Sequence, residues 1–357
     1  MAELLALADD ETTQLWSSLT LHYTETQGLP ALRQAIAQRL YASVAPEQLV
    51  VAAPQELVYL CMQALLSPGD RVVCTFPGYQ SLYDVAASQV CDVAMWELGS
   101  DGDGAPRFDL AAAEKLITPG TRLVVVNSPH NPSGAHFSRA EWARLCALCE
   151  AAGAYLFSDE MYRWLELDPG ADRLPAAADS LQRGISLCGM SKAAGGPGLR
   201  IGWLACKDAA LVSRILELKD FTSICNSAPS EVLALIGVRS WDSIVDRQLS
   251  VLRANLDALD AFFARWPAVF EWRRPVAGTV AFPRLLTGEP VEAWCQELVQ
   301  QAGVLLMPAT VYDHPRSQQE GRFRLGYGRR NLPQCLAALE AWLQQRYPQA
   351  AAQPEHA

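Results

Sequence analysis

Ile185-Ser186-Leu187-Cys188-Gly189-Met190-Ser191-Lys192-Ala193-Ala194-Gly195-Gly196-Pro197-Gly198-Leu199-Arg200 is the stretch on which the reading of this chain turns. Its first six residues form an apolar run of strand length, the signature of a strand buried on both faces. A serine, a lysine and a glycine-rich turn follow, with an arginine eight positions beyond the lysine. The chain has only four lysines. Lys115, Lys207 and Lys219 lie in charged, helix-like or loop stretches and are expected to be solvated. Lys192 stands at the mouth of a buried strand, where a lowered amine pKa would suit Schiff-base chemistry. A lysine snorkelling from a strand end reads the same way in isolation, so its neighbours must decide.

Outward from this strand, short apolar runs alternate with helical ones. Strands are expected at 49–52, 71–76, 91–98, 122–128, 154–160, 184–190 and 200–206. Helices are expected at 55–66, 79–88, 109–117, 138–152 and 208–218. Near-continuous, β-branched strands alternating with helices specify an α/β fold with a mainly parallel central sheet covered by helices. After about residue 240 the texture changes to a long helical stretch, 241–265, then shorter strands with helices near 290–302 and 331–346. The expected division is a large domain over 46–240, a smaller α+β domain over 241–357, and an N-terminal segment, 1–45, joining the small domain. Residues 350–357 are expected to fray.

Composition narrows the functional classes. A formal net charge of −10 argues against a phosphate backbone or an anionic membrane surface as partner. No apolar stretch approaches the length of a membrane span, and Met1–Asp10 lacks the basic start of a signal peptide, so a cytoplasmic location is expected. The ten cysteines show no disulfide spacing and read as reduced thiols. Cys146 and Cys149 form one CxxC within a helical stretch and lack a second pair, so no metal is expected. Gly99-Ser100-Asp101-Gly102-Asp103-Gly104 opens like a calcium loop but lacks the later oxygen ligands, and reads as a polar turn.

Three polar segments fall at the carboxyl ends of expected parallel strands, where open α/β sheets bind ligands. They are Asn127-Ser128-Pro129-His130-Asn131-Pro132-Ser133-Gly134, Ser158-Asp159-Glu160-Met161-Tyr162, and Ser191-Lys192. The ordered series Asn131-Pro132-x-Gly134, Asp159-x-x-Tyr162, Ser191-Lys192 and Arg200-x-Gly202 resembles the class I/II aminotransferases, pyridoxal-phosphate enzymes of fold type I. The spacings also fit, with 28 residues from Asn131 to Asp159, 33 on to Lys192 and eight on to Arg200. The resemblance runs from Tyr23-Thr24-Glu25-Thr26-Gln27-Gly28-Leu29-Pro30 to Arg322-Phe323-Arg324-Leu325-Gly326.

That resemblance implies a role for each position, and chemistry supplies a reason for each residue type. Lys192 would hold the cofactor as a Schiff base and shuttle the substrate proton. Asp159 would pair with the pyridine nitrogen and keep it protonated. Asn131 and Tyr162 would bond the cofactor's phenolate oxygen, and Asn131 also borders the substrate. Arg200, Ser191 and the amides around Gln55 would hold the phosphate. Tyr79 would stack on the ring, although a half-buried tyrosine at a helix start has the same pattern. Tyr23 would reach the neighbouring subunit's phosphate in a homodimer. Arg324 would grip the substrate carboxylate. Alternation puts Arg322 and Arg324 on one face, and the family motif selects Arg324.

The chain departs from the family pattern at Pro54, which has no N–H in the phosphate loop, and at Gly189, where many relatives carry a hydroxyl. Both predict weaker cofactor retention. The Tyr23 motif comes early, so a shortened, impaired relative is one expectation. The expected activity is amino transfer between an L-amino acid and a 2-oxo acid. The alternatives are a β-lyase, decarboxylase or amino-acid cyclase on the same fold. A non-enzymatic PLP-binding regulator would need a DNA-binding module ahead of Tyr23.

Overall fold

Strand-forming runs and helical runs alternate in the structure much as the apolar pattern requires. A computed structural model describes residues 1–102, 104–168, 173–312 and 321–350. Asp103 of the polar turn and residues 351–357 of the tail lie outside the described residues. The central sheet has seven strands: β1 (Leu49–Ala52), β2 (Arg71–Phe76), β3 (Asp92–Glu97), β4 (Thr121–Asn127), β5 (Tyr155–Asp159), β6 (Gly184–Gly189) and β7 (Gly202–Cys206). Their spatial order is β1-β7-β6-β5-β4-β2-β3. Only β7 runs against the others, pairing antiparallel with both β6 and β1. The sheet is therefore mainly parallel, and β4, β5 and β6 end side by side at one edge.

Burial explains why these strands were readable. Leu123–Val126, Leu156, Phe157 and Leu204–Cys206 are wholly shielded, because helices cover both faces. Helices Pro54–Leu65, Ser81–Ser88 and Ala209–Lys219 pack on one face, and Leu110–Leu116 and Arg139–Ala152 on the other. Ser138 caps the last of these with a capping box to Glu141, and Gly153 closes it in the left-handed conformation.

Two local expectations change. Helix Ala228–Arg239 escapes the sequence pattern because it is apolar nearly all round and buried from Glu231 to Val238, so it has no amphipathic period. It packs against helix Pro30–Leu40 and the N-terminal helices. Lys219, expected to be solvated, is fully buried, because residues 24–29 fold over it and Thr26 supplies a carbonyl for its ammonium.

The C-terminal part adds the long helix Trp241–Ala264 and a small antiparallel sheet of β8 (Val280–Ala281), β9 (Met307–Pro308) and β10 (Phe323–Gly326), with β10 in the middle. Helices Val291–Ala302 and Leu332–Arg346 complete it. Phe323, Leu325 and Tyr327 face the core, as alternation requires, and Arg324 faces the large sheet's carboxyl edge.

Candidate active site

A cavity of about 320 Å³ opens at that carboxyl edge. Its walls include Gln55, Tyr79, Asn131, Asp159, Tyr162, Ser191, Lys192, Arg200 and Arg324. Nine of the ten positions singled out in the sequence thus meet in one place. Tyr23 does not: it is 87% exposed and lies beside Leu21 and Cys225 in a separate open depression.

Register brings the β4 and β5 groups together. Asn127 and Asp159 are paired across the two strands. The Asn127 side chain donates from Nδ2 to the Asp159 carbonyl at 2.9 Å, and its Oδ1 accepts from the Asn131 amide at 2.7 Å. This buried asparagine fastens the turn that carries Asn131 to the strand that carries Asp159. It opens the quoted motif, but only the strand register shows what it does.

The Asp159 carboxyl is buried, and its one hydrogen bond among the described residues is from the Met161 amide to Oδ1 at 3.1 Å. Burial raises its pKa to about 7, against the Met161 amide and the charge of Lys192, which favour the carboxylate. No cation forms an ion pair with it among the described residues. A buried carboxylate without such a partner is costly. A protonated ring nitrogen presented from the cavity would supply that partner.

Lys192 follows β6 at the start of a compact turn. Gly195 N–H donates to the Lys192 carbonyl and Gly196 N–H to that of Met190, which folds residues 191–200 back on themselves. The Lys192 ammonium lies 5.8 Å from the centroid of the Tyr162 ring. Burial lowers its pKa, the positive charge of Arg324 lowers it further, and Asp159 opposes both. Burial pushes the Tyr162 phenol up to about 12, so it remains a donor.

Arg200 ends the turn in the left-handed region, with φ 55°, a strained conformation for a residue with a Cβ. Its guanidinium is exposed, donates to the Pro197 carbonyl at 3.2 Å, and pairs with no carboxylate among the described residues. Nearby, helix Pro54–Leu65 begins with Pro54 in its first turn. Gln55 and Glu56 follow, and their N–H groups have no carbonyl within the helix to bond. A dianion between these amides, Ser191 and Arg200 would meet donors from three directions.

The facing strand accounts for Gly189. A Cβ at Gly189 would stand 2.8 Å from Gly202 Cα and 3.0 Å from the Ile201 carbonyl, and one at Gly202 would meet the Pro54 ring at 2.7 Å. The backbone of residues 201 and 202 thus leaves no room for a side-chain hydroxyl at 189, and the Pro54 ring packs against Gly202.

Tyr79 precedes helix Ser81–Ser88 instead of starting it. Its hydroxyl donates to Gln55 Oε1 at 2.9 Å, and Gln55 Nε2 donates to Ser81 Oγ at 2.6 Å. At the opposite wall, half-buried Arg324 donates to Asn131 Oδ1 at 3.2 Å and to Met307 Sδ at 3.1 Å, and no carboxylate pairs with it among the described residues. Arg322 lines a neighbouring cavity with Pro77, His130 and Phe282. Of the two arginines left open by alternation, Arg324 shares the cavity of Lys192.

The family model for aminotransferase class I and II matches residues 6–340. Capreomycidine synthase of Streptomyces vinaceus is 32% identical over 86% of this chain and 77% of its own length. A solved PLP-dependent aminotransferase from Streptococcus suis superposes with a TM-score of 0.86 at 29% identity, covering 96% of this chain and 90% of that one. The structure of a PLP-dependent cyclase, OrfR, gives 0.87 at 29% identity, covering 97% and 90%.

Proposed function

Because this chain belongs to the class I and II aminotransferases and is a pyridoxal-phosphate enzyme, we propose that it moves an amino group between an L-amino acid and a 2-oxo acid, with Lys192 as the covalent anchor and proton carrier. One observation carries the reading. Lys192, buried Asp159, and two arginines without carboxylate partners among the described residues, Arg200 and Arg324, line a single cavity. When bound, pyridoxal phosphate supplies an electrophilic carbonyl and a ring that draws electron density from the substrate's Cα.

The residues divide the remaining work. Arg200, Ser191 and the amides of Gln55 and Glu56 hold the phosphate. The Asp159 carboxylate, charged once it has a cationic partner, keeps the ring nitrogen protonated. Tyr162 donates from its phenol. Asn131, with Oδ1 turned to Arg324, has Nδ2 left to donate to the ring oxygen. Tyr79 covers one ring face. Arg324 fixes the substrate carboxylate, which sets the substrate's orientation. Lys192 Nζ, its pKa lowered by burial and Arg324, takes the proton from Cα and returns it to the acceptor carbon.

The homodimer belongs to the same proposal. Tyr23 stands outside its own chain's cavity beside exposed Leu21, with Phe221 also exposed, which supports a covered surface in the assembly. A cytoplasmic location is supported by ten unpaired cysteines.

A second reading is favoured by two of the relatives, one named a synthase of capreomycidine and one a cyclase. In it, the same anchor and proton carrier serve an intramolecular ring closure. The test is to load the protein with PLP, reduce it with borohydride and map the label, expected on Lys192. On a separate, unreduced sample, an amino-acid panel should bleach the visible band. Return of the band with a 2-oxo acid supports amino transfer, and product formation without any 2-oxo acid supports the second reading. A label on Lys115, Lys207 or Lys219 overturns both.

A further inference from the structure

Lys219 is fully buried, and the chemistry above does not use it. Its ammonium donates to the Thr26 carbonyl at 2.6 Å. Burial depresses its pKa, and the carboxylates of Glu56, Glu231 and Asp220, with the Cys225 thiol, oppose that. Burying an ammonium is costly unless it is bonded, so its position and that of Thr26 are tied together.

Other ties converge on the same short segment. Glu231 Oε1 accepts from the Leu29 amide at 3.0 Å and from Asn226 Nδ2 at 2.8 Å. Asn226 Nδ2 also donates to the Val51 carbonyl at 2.9 Å, and the Val51 amide donates to the Gln27 carbonyl at 3.0 Å. Gly28 has φ +106°, and a Cβ there would stand 2.5 Å from Val51 Cβ, so only glycine lets the segment close on β1. Residues 24–29 are thus fixed to the sheet edge, to helix Ala228–Arg239 and to the end of helix Ala209–Lys219. Just before this clamp the chain stands clear: Leu21 and Tyr23 are 86% and 87% exposed.

We propose that Lys219 and Asn226 are positioning residues that act in trans, holding residues 24–29 so that Tyr23 reaches the phosphate end of the partner's site. Neither side chain lines its own chain's cavity. The inference rests on the dimer reading above.

Hybrid dimers purified by two tags separate the possibilities. In the first, one chain carries Lys192→Ala and the other Lys219→Met. The only site able to show lysine-bound PLP then receives Tyr23 from a chain with Lys219 intact. In the second, Lys192→Ala and Lys219→Met share one chain and the partner is unsubstituted. The competent site then receives Tyr23 from the altered chain. PLP retention, read from the visible band during dilution, should match the Lys192→Ala/unsubstituted hybrid within twofold in the first dimer. It should weaken about tenfold in the second, the scale of a lost charge-assisted hydrogen bond. Asn226→Ala, which keeps the buried lysine, should repeat the pattern, and Tyr23→Phe in the same two arrangements is the reference.

Equal retention in both hybrids, or weakening in the first, overturns the inference. If Tyr23→Phe weakens retention only in trans while Lys219→Met and Asn226→Ala do not, the dimer reading stands and the positioning role falls. A silent Tyr23→Phe in both arrangements overturns the dimer reading and the inference with it.

Discussion

Arg324 offers the sharpest test, because the family motif selects it over Arg322 and the structure places the two in different cavities. Arg324 lines the cavity of Lys192, whereas Arg322 lines the next one. Its guanidinium has one nitrogen on Asn131 Oδ1 and another on Met307 Sδ, a weak acceptor that a carboxylate would displace. Truncating one member of a buried, hydrogen-bonded charge pair costs about 2–5 kcal/mol. Arg324 is half-buried, so solvent screening places it in the lower part of that range, about 2–3 kcal/mol, or roughly 30- to 150-fold in binding. Arg324→Gln should raise the KM for amino-acid substrates by that factor in single-turnover bleaching. Amines that lack a carboxylate should be handled as before. Arg322→Gln should leave amino-acid binding within about threefold. An Arg324→Gln enzyme with unchanged KM, or an Arg322→Gln enzyme carrying the larger defect, would refute the assignment of the carboxylate site.

The remaining predictions follow from buried groups around the proposed cofactor site. Asp159 has its folded pKa raised to about 7 from 3.8, so between those values the folded state holds a proton that the unfolded chain has lost. The contribution of this group therefore falls as pH rises from about 4 to 7, by up to about 4 kcal/mol. PLP-free protein should melt lower at pH 8 than at pH 5, and Asp159→Asn should flatten that slope; an unchanged slope would count against the burial argument. Asn127→Ala should lose about 1–3 kcal/mol of stability in urea, because it leaves the buried Asn131 amide without its acceptor and takes from the Asp159 carbonyl one of its two donors, the other being the Ser128 amide. It should also lower kcat more than it raises KM, since it misplaces Asn131 and Asp159. Gly189→Ser should lower the melting temperature, reflecting about 1–3 kcal/mol of overpacking against Gly202 and Ile201, without tightening PLP. Pro54→Ser should tighten PLP by restoring a donor, seen as slower loss of the visible band on dilution.

What the sequence disclosed and what it withheld differ in kind. Val124, Val125 and Val126 announce a strand because burial on both faces demands an unbroken apolar run. Lys192, Asp159 and Arg200 announce themselves because the proposed chemistry calls for an amine, a carboxylate and a guanidinium. Asn127 was quoted but not singled out, since its value comes from standing opposite Asp159 across two strands. Lys219 was misjudged for the same reason: the carbonyl that receives it belongs to Thr26, 193 residues away. Helix Ala228–Arg239 was hidden because complete burial erases the periodicity that marks a helix. Residues proposed to meet the cofactor are legible by type, whereas residues proposed to aim them are legible only once strands and segments are paired. Changing a group that meets the cofactor should therefore abolish a chemical step, and changing Asn127 or Lys219 should displace an otherwise intact group. A separation of KM from kcat, or of one subunit's site from the other's, can detect that second kind of defect when a single activity measurement cannot.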